Sequence, residues 1–154
     1  FNFTNGFRAD YTKWAEGYRI SVKGNRVSWY KSKAKDYSYK TFRAYLDVVF
    51  AYAGTLSLAK ELTSVPVTSM QIGDVLIQGG SPGHAVIVVD MAENPATGEK
   101  LYLLAQSYMP AQDIQELVNP KERDKSPWYT LKRMGNILTP EWRFTSADLK
   151  RFKN

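Results

Sequence analysis

Three apolar β runs within residues 74–106 constrain this chain more than any other feature. Asp74–Gln78, Ala85–Met91 and Leu101–Gln106 are rich in Val, Ile and Leu and are almost free of polar interruption. The intervals between them, Gly79–Gly83 and Asn94–Gly98, carry the Gly, Pro, Asn and Ser that make turns. Short connections of this kind join antiparallel neighbours, so the segment reads as a meander. Near-continuous apolarity predicts strands covered on both faces, hence a central sheet with helices packed against it: an α+β domain.

The rest of the chain supplies the other elements. Ser38 is suited to cap a helix on which Phe42, Tyr45, Leu46, Val49, Phe50 and Ala53 recur at three- and four-residue spacing. This aromatic stripe is expected in the core. Gly54 and Thr55 interrupt the pattern before Leu56–Leu62 continues it, which predicts one long helix or two abutting ones, ended by Pro66. Earlier, Ala9–Glu16 can form one or two turns closed by Gly17, with Trp14 inward, and Arg19–Val22 and Arg26–Tyr30 form a hairpin about Gly24-Asn25. Late in the chain, Glu141–Phe144 reads as an edge strand, and Ser146 as the cap of a closing helix through Phe152.

No repeat or linker divides the sequence, and 154 residues suffice for one core without disulfides, so residues 1–154 are expected to form a single domain. Cysteine is absent, which excludes disulfides, thiolate metal sites and a cysteine nucleophile within these residues. No apolar run approaches the roughly 18–20 residues of a membrane span. The net charge of +6 favours anionic polymers, but the basic residues are spread along the chain and no nucleic-acid motif accompanies them. A solvated basic face is the expected reading, with no nucleic-acid partner.

The candidate chemistry centres on Gly73-Asp74-Val75-Leu76-Ile77-Gln78-Gly79-Gly80-Ser81-Pro82-Gly83-His84-Ala85-Val86, which holds the only histidine. A single histidine with scattered carboxylates offers no metal-ligand spacing, so neither metal nor cofactor is expected. Gly79-Gly80-Ser81-Pro82-Gly83 matches the G-x-S-x-G elbow formally. However, it leads into a strand rather than a helix, and Pro82 has no N–H to offer an oxyanion. Ser81 therefore reads as part of a tight turn that positions His84, and Asp74 as a cap at its strand start.

This segment resembles the histidine-bearing half of papain-like cell-wall hydrolases, the NlpC-type and CHAP amidases. In those families a Gly-Asp turn leads one strand, a Gly-His begins the next, and the histidine is the general base. The resemblance makes His84 the candidate base and calls for a polar residue on the following strand to orient the ring. With the intervening turn centred near Ala96 and Thr97, antiparallel pairing sets Gln106 opposite about residue 86, which makes Gln106 the orienting candidate. Asp90 shares the parity of His84 but lies about 20 Å along the strand. Both side chains are expected at the same end of neighbouring strands, facing an open groove. Gly83 and Ser81 beside the histidine, with Trp128 and Tyr129, are the candidate substrate-binding residues.

A wider resemblance, to an uncharacterised family of exported bacterial proteins and lipoproteins, runs through Phe3-Thr4-Asn5-Gly6-Phe7, Lys13-Trp14-Ala15-Glu16-Gly17-Tyr18-Arg19, Thr41-Phe42-Arg43-Ala44-Tyr45-Leu46, Ala51-Tyr52-Ala53-Gly54-Thr55-Leu56-Ser57-Leu58, the Gly73–Asp90 block and Leu104-Ala105-Gln106-Ser107-Tyr108-Met109-Pro110-Ala111-Gln112. That family has no established activity. Its members carry, ahead of the matching stretch, a helix opening with Cys-Ala-Asp. The resemblance implies a carboxy-terminal part of a longer envelope protein, papain-like in order and incomplete at its amino end. Two functions follow as expectations. One is the base-bearing part of a cysteine amidase or peptidase acting on cell-wall peptides. The other is a non-catalytic envelope module whose Trp29, Tyr30, Trp128 and Tyr129 stack on glycan or peptide; partial burial in the core competes with that role for all four.

Overall fold

The computed structural model describes residues 1–110, 112–133 and 135–153, the side chain of residue 133 excepted. They form two compact units, Phe1–Glu61 and Leu62–Asn154. Helices and antiparallel sheets coexist, as an α+β chain requires.

The first unit opens with a short helix, α1 (Tyr11–Ala15), whose first turn is capped by the Asp10 carboxylate accepting from the Lys13 N–H. It ends at Gly17, where φ is +93° and a Cβ would meet the Lys33 carbonyl oxygen at 2.2 Å, so only glycine fits. The hairpin follows as β1 (Tyr18–Lys23) and β2 (Arg26–Lys31), turning at Gly24 with φ +58°. Helix α2 (Tyr39–Tyr52) starts where the Ser38 hydroxyl accepts from the Thr41 N–H. It stops at Ala53, and α3 (Thr55–Glu61) begins directly after. Of the two arrangements expected, the chain adopts two abutting helices, and the helical stretch ends five residues before Pro66.

The aromatic stripe of α2 is only partly internal. Tyr45 and Val49 are buried with Phe3, Ala9 and Trp14, whereas Phe42 and Phe50 are exposed. Tyr45 and Val49 belong to one edge of the stripe; the core of this unit is narrower than the apolar arc that the sequence offers.

The second unit is built on a seven-stranded antiparallel sheet. Its strands are β3 (Thr63–Ser64), β4 (Val75–Gln78), β5 (His84–Glu93), β6 (Lys100–Gln106), β7 (Gln115–Glu116), β8 (Tyr129–Thr130) and a late strand, Leu149–Arg151. Between β8 and that late strand lie β9 (Asn136–Leu138) and β10 (Arg143–Thr145), a separate two-stranded ribbon; the late strand is therefore β11. The sheet order is β3-β11-β4-β5-β6-β7, with β8 sharing the outer edge of β6. The meander β4-β5-β6 is the one read from the sequence.

Three local readings need correction. The segment from Ser146 is not a helix: it makes one 3-10 turn, Ser146–Asp148, and then β11, which inserts between β3 and β4. Leu149 at 0% exposure fills the core while Phe152 lies outside, so the apparent helical spacing of the two is fortuitous. Second, β5 is not covered on both faces. Val86 and Val88 are buried, but Ile87 between them is 37% exposed. Third, a bulge at Val89 interrupts the β5–β6 register, and this flips the parity beyond it, so Asp90 no longer shares a face with His84. Asp74 is structural, as expected, but its role is larger than a cap. Fully buried, it accepts from Arg151 Nε at 2.6 Å and Nη2 at 2.8 Å and from the Gln71 N–H at 3.0 Å, tying β11 to the turn before β4.

Candidate functional site

His84 is the first residue of β5 and Gln106 the last of β6. The β5–β6 ladder pairs Ile87 with Ala105 and Val88 with Leu104, so one further step sets Gln106 opposite residue 86, two positions from the histidine and on its side of the sheet. The side chains meet: His84 Nε2 and Gln106 Oε1 are 2.6 Å apart. The turn before His84 is compressed at Gly80, where a Cβ would lie 2.8 Å from the Pro82 carbonyl oxygen.

The pair is more enclosed than the open groove expected. His84 is 8% exposed and Gln106 3%. Tyr108 meets the imidazole edge-on at 5.3 Å, Trp142 lies tilted at 5.5 Å, and Phe144 stacks at 6.0 Å. The ring is nevertheless not sealed. Among the described residues no buried side-chain nitrogen or oxygen lacks a hydrogen-bond partner, and Nδ1 makes no hydrogen bond. Nδ1 is therefore the nitrogen that touches solvent.

Three residues that the sequence reading did not single out complete the site. Glu141, in the turn between β9 and β10, accepts from Gln106 Nε2 at 2.7 Å. Trp142 next to it donates its indole N–H to Gln78 Oε1 at 2.9 Å. Gln78, directly opposite His84 across β4 and β5, donates through Nε2 to the Arg143 carbonyl at 3.1 Å and to Asp148 at 2.9 Å. The turn itself is closed by Thr139, whose hydroxyl bonds both the carbonyl and the N–H of Trp142. No local pattern announces Glu141 and Trp142, because they bond Gln106 and Gln78 from 35 and 64 residues further along the chain.

The other sequence candidates are placed as follows. Gly83 adjoins His84, and Ser81 is exposed in the preceding turn without a hydrogen bond to the ring. Trp128 and Tyr129 do not join the cluster. Tyr129 pairs with Tyr102 near the far end of β6, is 4% exposed and stacks on the Tyr102 ring at 5.5 Å. Trp128, half-buried, accepts from Asn119 through its carbonyl. Of the hairpin aromatics, Trp29 packs against Phe7 while Tyr30 is 49% exposed. The described residues hold no cluster of ligating side chains that fits a metal ion. No described helix is long and apolar enough to cross a membrane.

The positive charge is less spread than the sequence suggests. Residues 1–61 hold eleven Lys and Arg against five Asp and Glu, while residues 62–154 hold ten of each. The unit that carries His84 is electrically balanced, so its site gains no general attraction for anionic polymers from its own charge.

A model of a protein family, that of a domain of unknown function (DUF4846), matches residues 1–151. No curated protein and no solved structure matches the chain.

Proposed function

Because the chain belongs to the DUF4846 family, which carries no assigned activity, its chemistry has to be read from the site itself, and we propose that it is the base-bearing part of a papain-like cysteine amidase or peptidase. On this reading the enzyme acts on cell-wall peptides at the envelope. His84 is the general base and Gln106 its orienting residue. The observation that carries the reading is the 2.6 Å bond from His84 Nε2 to Gln106 Oε1, which leaves Nδ1 outside the pair. A base needs this arrangement: one nitrogen held by an acceptor, the other offering its lone pair outward.

The chain has no cysteine, so the thiol would come from residues outside this sequence. Nδ1 would take the thiol proton as sulfur attacks the substrate carbonyl, and the resulting imidazolium would return that proton to the departing amine. Water, deprotonated by the same nitrogen, would then release the acyl group from sulfur. Trp142 and Phe144 contribute by limiting water around the ring, which strengthens the His84–Gln106 bond.

The test uses a protein in which the cysteine-led helix of the family precedes this sequence. A thiol-directed probe should label its cysteine at neutral pH at least about tenfold faster than in His84→Ala, because the imidazole promotes thiolate formation. Equal labelling of the two proteins rejects a coupled pair.

A further inference from the structure

We infer that Glu141 is a positioning residue that decides which nitrogen of His84 carries the proton, acting through the amide of Gln106. The argument is one of donors and acceptors. A carboxylate only accepts, so the group that Gln106 presents to Glu141 across 2.7 Å must be its NH2. The amide carbonyl then has to face the ring, where it stands 2.6 Å from Nε2. A carbonyl also only accepts, so Nε2 bears the hydrogen and, in the neutral ring, Nδ1 carries the lone pair.

The reverse orientation of the amide would place its oxygen against the Glu141 carboxylate and its NH2 against Nε2. Two acceptors would then meet at hydrogen-bond distance in a place where Gln106 is 3% exposed. Gln106 alone does not choose, because an amide offers a donor on one side and an acceptor on the other. The choice is made by Glu141, 35 residues further along the chain, on the Thr139-stapled turn of the β9–β10 ribbon. Glu141 sits on the exposed side of that turn, so it keeps its hydration while directing a buried amide.

The assignment rests on geometry and holds for a catalytic or a silent histidine alike, so its test does not require activity. The chain contains one histidine, which makes the imidazole nitrogen resonances unambiguous in a 15N-labelled sample. At a pH where the ring is neutral, the directly bonded proton should be found on Nε2 alone. In Glu141→Gln the new side chain can donate to the Gln106 oxygen, allowing the amide to turn; a resolved population with the proton on Nδ1 should appear. The double variant Gln106→Glu with Glu141→Gln reverses the polarity of the pair and restores an acceptor facing Nε2, so it should return the proton to Nε2 entirely.

A proton on Nδ1 in the unaltered protein overturns the inference without any variant. So does a folded Glu141→Gln protein whose proton stays wholly on Nε2. Failure of the thiol-labelling test with the proton on Nε2 as described would reject the hydrolase reading and leave the role of Glu141 standing.

Discussion

The indole of Trp142 and the amide of Gln78 are joined by a 2.9 Å hydrogen bond, and Gln78 is the residue directly opposite His84 on the adjoining strand. Through this bond the β9–β10 turn is fastened over the imidazole. Gln78→Ala removes three side-chain hydrogen bonds at once and strands the Trp142 N–H. A loss of about 1–3 kcal/mol is expected in chemical denaturation. The same change should speed carbethoxylation of His84, the single histidine, because its cover loosens. An unchanged modification rate would show that Trp142 stays in place without Gln78.

The acid limb of stability should depend on Asp36. The Thr41 hydroxyl at 2.5 Å, then the backbone N–H and hydroxyl of Ser38, hold its carboxyl below the ordinary aspartate range. A carboxyl with a lower pKa in the folded chain contributes stability that is complete above its unfolded value, near 4, and is lost as pH falls through the folded value. Glu16, lowered first by Lys35 and then by Tyr37, adds in the same direction. Thermal midpoints measured from pH 6 to pH 2 should fall below about pH 4, and Asp36→Asn should flatten that fall. An identical acid slope in the variant would locate the sensitivity elsewhere.

The alkaline limb should report on Tyr102. Burial raises its hydroxyl pKa well above the usual tyrosine value, and burial does the same for Tyr129. The unfolded chain therefore releases these protons first, so stability is flat below about pH 10 and declines above it. In a spectrophotometric titration at least these two of the ten tyrosines should stay protonated until the protein unfolds. Tyr102→Phe should weaken the alkaline decline while leaving the neutral thermal midpoint nearly unchanged.

Leu104 lies at 0% exposure in the centre of the sheet core, beside Leu76, Val88 and Phe144. Leu104→Ala is expected to cost about 2–5 kcal/mol, the range for a cavity in a packed interior. Denaturant unfolding measures it, and a loss under about 1 kcal/mol would mean that the site collapses around the smaller residue.

Much of this architecture can be read from residue order. The hairpin at Gly24, the cap at Ser38 and the β4-β5-β6 meander follow from turn chemistry and periodicity, which are local. The turn also brings the ends of β5 and β6 that carry His84 and Gln106 near each other, but its register alone would set Gln106 opposite residue 87; the bulge at Val89 moves it to residue 86, on the side of His84. Glu141 and Trp142 were not accessible, since only the return of the β9–β10 ribbon brings them to Gln106 and to Gln78, the residue that faces His84 across one short turn. The Val89 bulge leaves no trace in an unbroken β-branched run, and β11 is disguised by the three-residue spacing of Leu149 and Phe152. Exposure of Phe42 and Phe50 shows the limit of periodicity: it identifies an apolar arc but not how much of it is covered.

The placement of β11 has a consequence for biogenesis. Residues 149–151 are synthesised late yet lie inside the sheet, between two strands made long before them. Until they emerge from the ribosome, β4 has an open edge beside the strand that begins with His84, and the Asp74 carboxylate has no guanidinium to meet. The sheet therefore cannot close by adding strands in the order in which they are made, and β4 waits with one side unpaired.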